Sequence, residues 1–129
     1  MGATIMRFKT CAGRFAICQL APQSAIPRWA TSGEFHSVTV TPAEVSIICA
    51  ESAVPANVKA QRGFVAYEIE GPFDFDAIGV LESFLRPLAQ ARIPIFAIST
   101  YNTDTILVQE QFAARAGEAL QQAGHEPVS

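Results

Sequence analysis

The stretch IPIFAISTYNTDTILV, residues 93–108, decides the fold class of this chain. Ile93 to Thr100 is an apolar run of strand length, and Tyr101 to Asp104 carries turn chemistry. Ile106 to Val108 then resumes as a second strand, so the stretch reads as a hairpin. On its C-terminal side Phe112, Ala116, Leu120 and Ala123 recur at helical spacing, and Gly124 closes that helix as a C-terminal cap. Glu126 to Val128 adds a short last strand. On its N-terminal side Phe64 to Ile69 alternates at period two, and Gly71-Pro72 stops it. Leu81, Phe84, Leu85 and Leu88 follow as one apolar helical stripe. Asp74 or Asp76 caps this helix, because a short carboxylate accepts the unpaired N–H groups of a first turn. Pro87 has no N–H to give, which predicts a kink near Ser83 or a separate last turn. The order β-α-β-β-α with a sixth β is the split βαβ arrangement, an α+β, ferredoxin-like fold with both helices on one face of an antiparallel sheet.

The first part of the chain looks like an abbreviated version of that unit. Arg14 to Leu20 reads as a strand closed by Pro22, Ile26 to Ala30 as a short helical turn, and Phe35 to Val40 with Val45 to Ala50 as a hairpin around Thr41 to Glu44. Residues 51–61, with Pro55 and few large apolar side chains, read as a connector. The expected organisation is therefore an abbreviated unit over 1–61 and a full unit over 62–129.

Composition narrows the function classes. Half of the 129 residues are apolar and 16% are charged, enough to build a core and too little charge for a disordered chain. Nine Lys and Arg against twelve Asp and Glu give a net charge of -3 with no basic cluster, which argues against nucleic-acid binding. So few charges also leave apolar surface for an interface. No run is long enough to span a bilayer, and residues 1–9 do not read as a signal peptide. Cys11, Cys18 and Cys49 form an odd set without CxxC spacing, which fits a reducing cytoplasm. They read as small apolar fillers. With His36 and His125 as the two histidines, neither given a special role, no metal site or cofactor is expected.

The residues of the second unit resemble a known family. Gly71-Pro72-Phe73-Asp74-Phe75, Ile78-Gly79-Val80-Leu81, Pro87-Leu88-Ala89 and above all Ser99-Thr100-Tyr101-Asn102-Thr103-Asp104 before Ile106-Leu107-Val108 resemble the ACT domains of CASTOR-type arginine sensors and of small bacterial ACT proteins. Upstream, Trp29, the strand from Phe35 and Thr41-Pro42-Ala43-Glu44 are similar to the first, helix-poor repeat of that branch. The resemblance implies two ACT-like units in tandem, an amino acid bound at an interface between units, a homodimer, and no catalysis. One position departs: where the arginine sensors carry an acidic residue two places before the helix-start glycine, this chain has Ala77, so arginine specificity is not carried over.

The residue chemistry is compatible with that expectation. The N–H groups of Ile78, Gly79 and Val80 at a helix start favour a carboxylate, and Gly79 lets a ligand approach the backbone. Ser99, Thr100 and Tyr101 offer carbonyls and hydroxyls at a strand end, and Asp104 offers a partner for an ammonium. Each has a plainer reading. Gly79 serves close helix–sheet packing, Asp104 holds its own turn, Tyr101 is a half-buried turn aromatic, and Trp29 and Phe35 are core. Two functions remain: a regulatory module that binds an amino acid and acts on a protein target, or an interaction module that keeps the dimer without the ligand. An enzyme with Cys18 or Cys49 as nucleophile is the weakest alternative, since no histidine stands at a useful spacing.

Overall fold

Residues 5–71 and 78–128 are described by the computed structural model. In chain order the strands are β1 (Arg7–Thr10), β2 (Phe15–Leu20), β3 (Ser37–Val40), β4 (Val45–Ala50), β5 (Ala60–Ile69), β6 (Phe96–Ser99), β7 (Asp104–Gln109) and β8 (Glu126–Val128). The helices are α1 (Val80–Gln90) and α2 (Ala113–Gln122), with short 3-10 turns at Arg28–Thr31, Glu51–Ala53 and Glu110–Phe112. Two compact units result. One joins the residues up to Thr10 to those from Val65 onward, and the other is Cys11–Phe64.

The larger unit has the strand order β8-β1-β5-β7-β6. Without β1 this is the ferredoxin-like order of a βαββαβ chain, as the periodicity predicts. The addition is β1, which runs antiparallel to β5 with Phe8 opposite Ile69 and parallel to β8 with Phe8 opposite Pro127. Nothing in the short stretch Arg-Phe-Lys-Thr announces a strand, because a single apolar residue between two cations gives no period. Its place comes from packing: Phe8 is 2% exposed and meets Tyr67 and Phe84 edge-on at ring distances of 5.7 and 5.4 Å. The unit's core is continued by Val65, Ile69, Ile106 and Val108 from the sheet and by Leu88, Ala116 and Leu120 from the helices. Both helices therefore lie on one sheet face. The stripe of α1 is as expected, with Phe84 and Leu88 buried and Leu81 and Leu85 packed at its margins.

Pro87 does not end α1, which is helical from Val80 to Gln90. A proline in a helix leaves the carbonyl four residues earlier without its N–H donor, here that of Ser83. His125 supplies the replacement, its Nε2 lying 2.9 Å from the Ser83 carbonyl oxygen. Its Nδ1 accepts the Met6 N–H at 3.0 Å, which fixes the neutral ring with the proton on Nε2. His125 thus has a structural role, tying α1 to the chain before β1.

The smaller unit has the order β5-β2-β4-β3, again the ferredoxin-like order, with its helices reduced to the 3-10 turns at Arg28–Thr31 and Glu51–Ala53. Its core holds Ala16, Cys18, Ala30, Val45, Ile47, Cys49 and Val54, with Trp29 half-buried against it. Residues 51–61 are not wholly a connector. Ala60 and Gln61 already pair with Cys18 and Ile17, so β5 begins before the expected boundary and Arg62 lies inside it. Exposed side chains hide that segment from a hydrophobic pattern, since backbone pairing alone makes it a strand.

Candidate functional site

The end of the larger unit where β5 finishes gathers most of the predicted residues. β6 and β7 form the expected hairpin, with Ser99 opposite Asp104 and Ile98 opposite Thr105. The turn is one residue earlier than Tyr101 to Asp104. It comprises residues 100–103, closed by the Thr100 N–H on the Thr103 carbonyl at 2.7 Å, with the Thr100 hydroxyl 3.1 Å from the same oxygen. Thr100 does the work assigned to an Asx residue, and Asp104 opens β7 instead. The Ser99 hydroxyl donates to the Asp104 carboxylate. Tyr101, at the turn tip, is 79% exposed, so it is not a half-buried aromatic.

This turn is fastened to β5. The Thr103 hydroxyl donates to the carbonyl of Ile69, and Gly71 passes so close that a Cβ there would lie 2.7 Å from the Asn102 carbonyl oxygen. Glycine at 71 is required by that approach. Beyond it the chain leads to α1 through residues outside the described set, among them Asp74 and Asp76, the expected caps, and Ala77.

Ile78, Gly79 and Val80 form the start of α1. Gly79 has φ +81°, a left-handed conformation, and a Cβ there would meet no atom of the described residues within 4 Å. Conformation, not close helix–sheet packing, is what asks for glycine here. Ile78 is 94% exposed, a large apolar side chain next to a helix start that no side chain among the described residues caps. The helix dipole and the outward N–H groups of such a turn favour an anion.

Beside the hairpin lies an open groove of about 430 Å³, lined by Lys9, Glu68, Ile69, Glu70, Gly71, Thr100, Asn102, Thr103 and Val128. Thr100 belongs both to this groove and to the predicted set. The groove's charged residues escape a motif search because they are single positions on β1 and β5 that only the inserted strand brings together.

The cysteines are poorly placed for nucleophilic chemistry. Cys11, Cys18 and Cys49 are free and buried. Burial first, then the neighbouring Cys49, pushes the Cys18 thiol up to about 11, and burial likewise raises Cys49. A thiol held protonated is a weak nucleophile. Among the described residues no cluster of three or more His, Cys, Asp or Glu side chains could hold a metal ion, and no helix is long and apolar enough to cross a membrane.

A family model described as an ACT domain matches residues 59–122. The second half of the chain carries an ACT domain. A second model, described only as an N-terminal domain, matches residues 13–57. No match was found among curated proteins. A protein of Agrobacterium tumefaciens with a crystal structure is similar at 34% identity, with 98% of this chain and 94% of that one covered and a TM-score of 0.92. The fold is also that of aspartate kinase of Clostridium acetobutylicum, described as an allosteric enzyme, at 8% identity, 95% of this chain and 35% of that one, and a TM-score of 0.69. The ligand-free regulatory subunit of aspartate kinase from Thermus thermophilus is similar at 12% identity, 87% and 93% coverage, and a TM-score of 0.60. These findings establish the ACT domain; they do not single out the arginine-sensor branch.

Proposed function

We propose that this ACT protein is a regulatory module without catalytic activity, which pairs with a second copy and holds an amino acid at the seam between ACT units. The observation that carries the reading is the state of one end of the larger unit. Ile78 and Tyr101 are 94% and 79% exposed, and among the described residues no atom lies within 4 Å of where a Cβ on Gly79 would stand. Two large apolar side chains in water, Ile78 next to an anion-attracting helix start and Tyr101 at the tip of the β6–β7 turn, suit a surface completed by another unit. In this reading Ile78, Gly79 and Val80 meet the carboxylate, and Ser99, Thr100, Tyr101 and Asp104 meet the ammonium. The family match and the described roles of the aspartate kinase relatives support regulation rather than catalysis. A protein target reads the ligand-dependent state by population shift.

Sedimentation tests the pairing. The native chain runs as a dimer at micromolar concentration, and Ile78→Asp together with Tyr101→Asp gives a folded monomer. A native chain that stays monomeric with and without amino acids contradicts the proposal. The second reading, an interaction module that has lost its ligand, draws support from the Ser99 to Asp104 hydrogen bond, which already engages the carboxylate. Asp104→Ala separates the two: it abolishes amino-acid binding in the first reading and changes no binding in the second.

A further inference from the structure

We propose that Cys18 and Cys49 form a two-coordinate site for a soft monovalent metal ion, Cu(I), inside the smaller unit. The site is separate from the ligand seam proposed above and does not depend on it. Its first support is placement. In the β2–β4 ladder Cys18 stands opposite Ile47 and Cys49 opposite Ala16, so the two cysteines are diagonal neighbours. They share one sheet face, since Ala16, Cys18, Ile47 and Cys49 belong to a single buried cluster. The thiols meet there as side-chain hydrogen-bond partners, and the Cys49 Sγ also lies 3.7 Å from the Ala50 carbonyl oxygen. Their separation in the sequence hides the pair from a search for CxxC spacing.

Geometry then selects the chemistry. Diagonal neighbours on an antiparallel pair stand roughly 7–8 Å apart, whereas a disulfide spans at most about 6.8 Å between Cα atoms, so joining the sulfurs directly needs backbone movement. Two metal–sulfur bonds of about 2.3 Å put about 4.6 Å between the sulfurs, which diagonal side chains reach by small rotations. Among the described residues no group of three or more His, Cys, Asp or Glu could hold a metal ion, so zinc, which takes four ligands, is left with half its set. Two thiolates alone suit Cu(I), a soft ion that accepts linear coordination. On binding, each thiol gives up its proton and forms one Cu–S bond, and the complex carries one negative charge. Two groups meet that charge. Arg62 acts on Cys18 as a nearby positive charge and is held by its Nη2 hydrogen bond to the Pro55 carbonyl at 3.0 Å. The Ser32 hydroxyl is a hydrogen-bond partner of Cys49. Residues in such supporting positions tune metal affinity. Cys18 and Cys49 are 2% and 0% exposed, and the cover over them includes the 3-10 turn Arg28–Thr31 in place of a full helix, so local opening of a short turn admits the ion. Protonated thiols are weak nucleophiles, yet they remain ligands for an ion that displaces their protons.

Titration of the reduced full chain with Cu(I) held by bicinchoninate tests the site, because loss of the chelator complex's colour reports transfer. The chain is expected to withdraw one Cu(I), and X-ray absorption of the loaded native protein to show two sulfur neighbours and no nitrogen or oxygen. Cys18→Ala and Cys49→Ala, each confirmed as folded by circular dichroism, weaken binding by more than about a hundredfold, beyond the range of a supporting residue. Cys11→Ala, folded by the same criterion, leaves binding unchanged. Arg62→Gln and Ser32→Ala weaken it by about tenfold. Zn(II) at equal concentration does not displace the copper. Absence of transfer overturns the proposal. So does one copper shared between two chains, loss of binding with Cys11→Ala, or indifference to both Cys18→Ala and Cys49→Ala. Amide NMR of the native chain with Ag(I) needs no variant to fold: the amides of Cys18 and Cys49 are expected to shift first, and shifts confined to the neighbourhood of Cys11 overturn the site.

Discussion

Gly79 and Arg92 show opposite solutions to the same backbone demand. Gly79 takes φ +81°, and Arg92 takes φ +59° just past the end of α1, where glycine is the usual residue. The Arg92 N–H reaches the Ala89 carbonyl at 3.0 Å and the Ile93 N–H reaches that of Leu88 at 3.0 Å, so the helix end enforces the conformation despite the side chain. Gly79→Ala should lower stability by about 1–2 kcal/mol, because the left-handed conformation is penalised and no described residue stands in the way of a Cβ. Arg92→Gly should change it by less than about 1 kcal/mol and in the stabilising direction. Urea titration of both variants checks the pair, and a Gly79→Ala variant as stable as the native chain contradicts the first. Cys18 adds a pH effect. Its folded-state value of about 11 lies above the ordinary thiol value of 9.0, so the folded chain holds the proton more tightly than the unfolded one. That contribution is fully present below about pH 9 and is lost as pH rises towards 11. Cys18→Ala should flatten the fall of stability across this window relative to the native protein.

At the scale of elements, the Ser83, Pro87 and His125 arrangement explains how a proline sits inside a continuous helix. The kink was the natural expectation from Pro87 alone, since the sequence does not reveal that a residue 42 positions from Ser83 brings the missing donor. His125→Ala leaves the Ser83 carbonyl and the Met6 N–H without their partners and opens space in the core. The expected loss is about 2–4 kcal/mol. Pro87→Ala restores an N–H to Ser83, so His125→Ala should cost less in that background. A double-mutant cycle by denaturation should give a coupling of about 1 kcal/mol, and additive losses would contradict the account. The helices and the hairpin were legible because their apolar periods are long: Leu81 to Leu88 for α1, Phe112 to Ala123 for α2, Ile93 to Val108 for the hairpin. β1 and the first residues of β5 were not, because their strand state comes from partners distant in sequence. The same reason hid the groove, whose Lys9 and Glu68 meet only through β1.

At the scale of the molecule, the two units repeat one strand order with unequal helices, and β5 contributes its first residues to one and its last to the other. The larger unit also depends on a strand from the far side of its sequence. Phe8→Ala, removing a ring that is 2% exposed against Tyr67 and Phe84, should cost about 3–5 kcal/mol. Thermal unfolding checks this, and a loss under 1 kcal/mol would mean that β1 is dispensable. The low charge of the chain, 16% of residues, fits a protein that leaves Ile78 and Tyr101 for another surface to cover. The candidate residues were legible as types and spacings, whereas the left-handed Gly79 and the bonded Asp104 needed the structure. The central claim is that this ACT module holds an amino acid. Its most direct test is thermal unfolding of protein refolded free of small molecules, scanned against all twenty amino acids. The account predicts that at least one stabilises the fold saturably, by about 2.7 kcal/mol at a hundred times its dissociation constant, and that Asp104→Ala removes the effect. An unchanged midpoint with every amino acid up to millimolar concentration would contradict it.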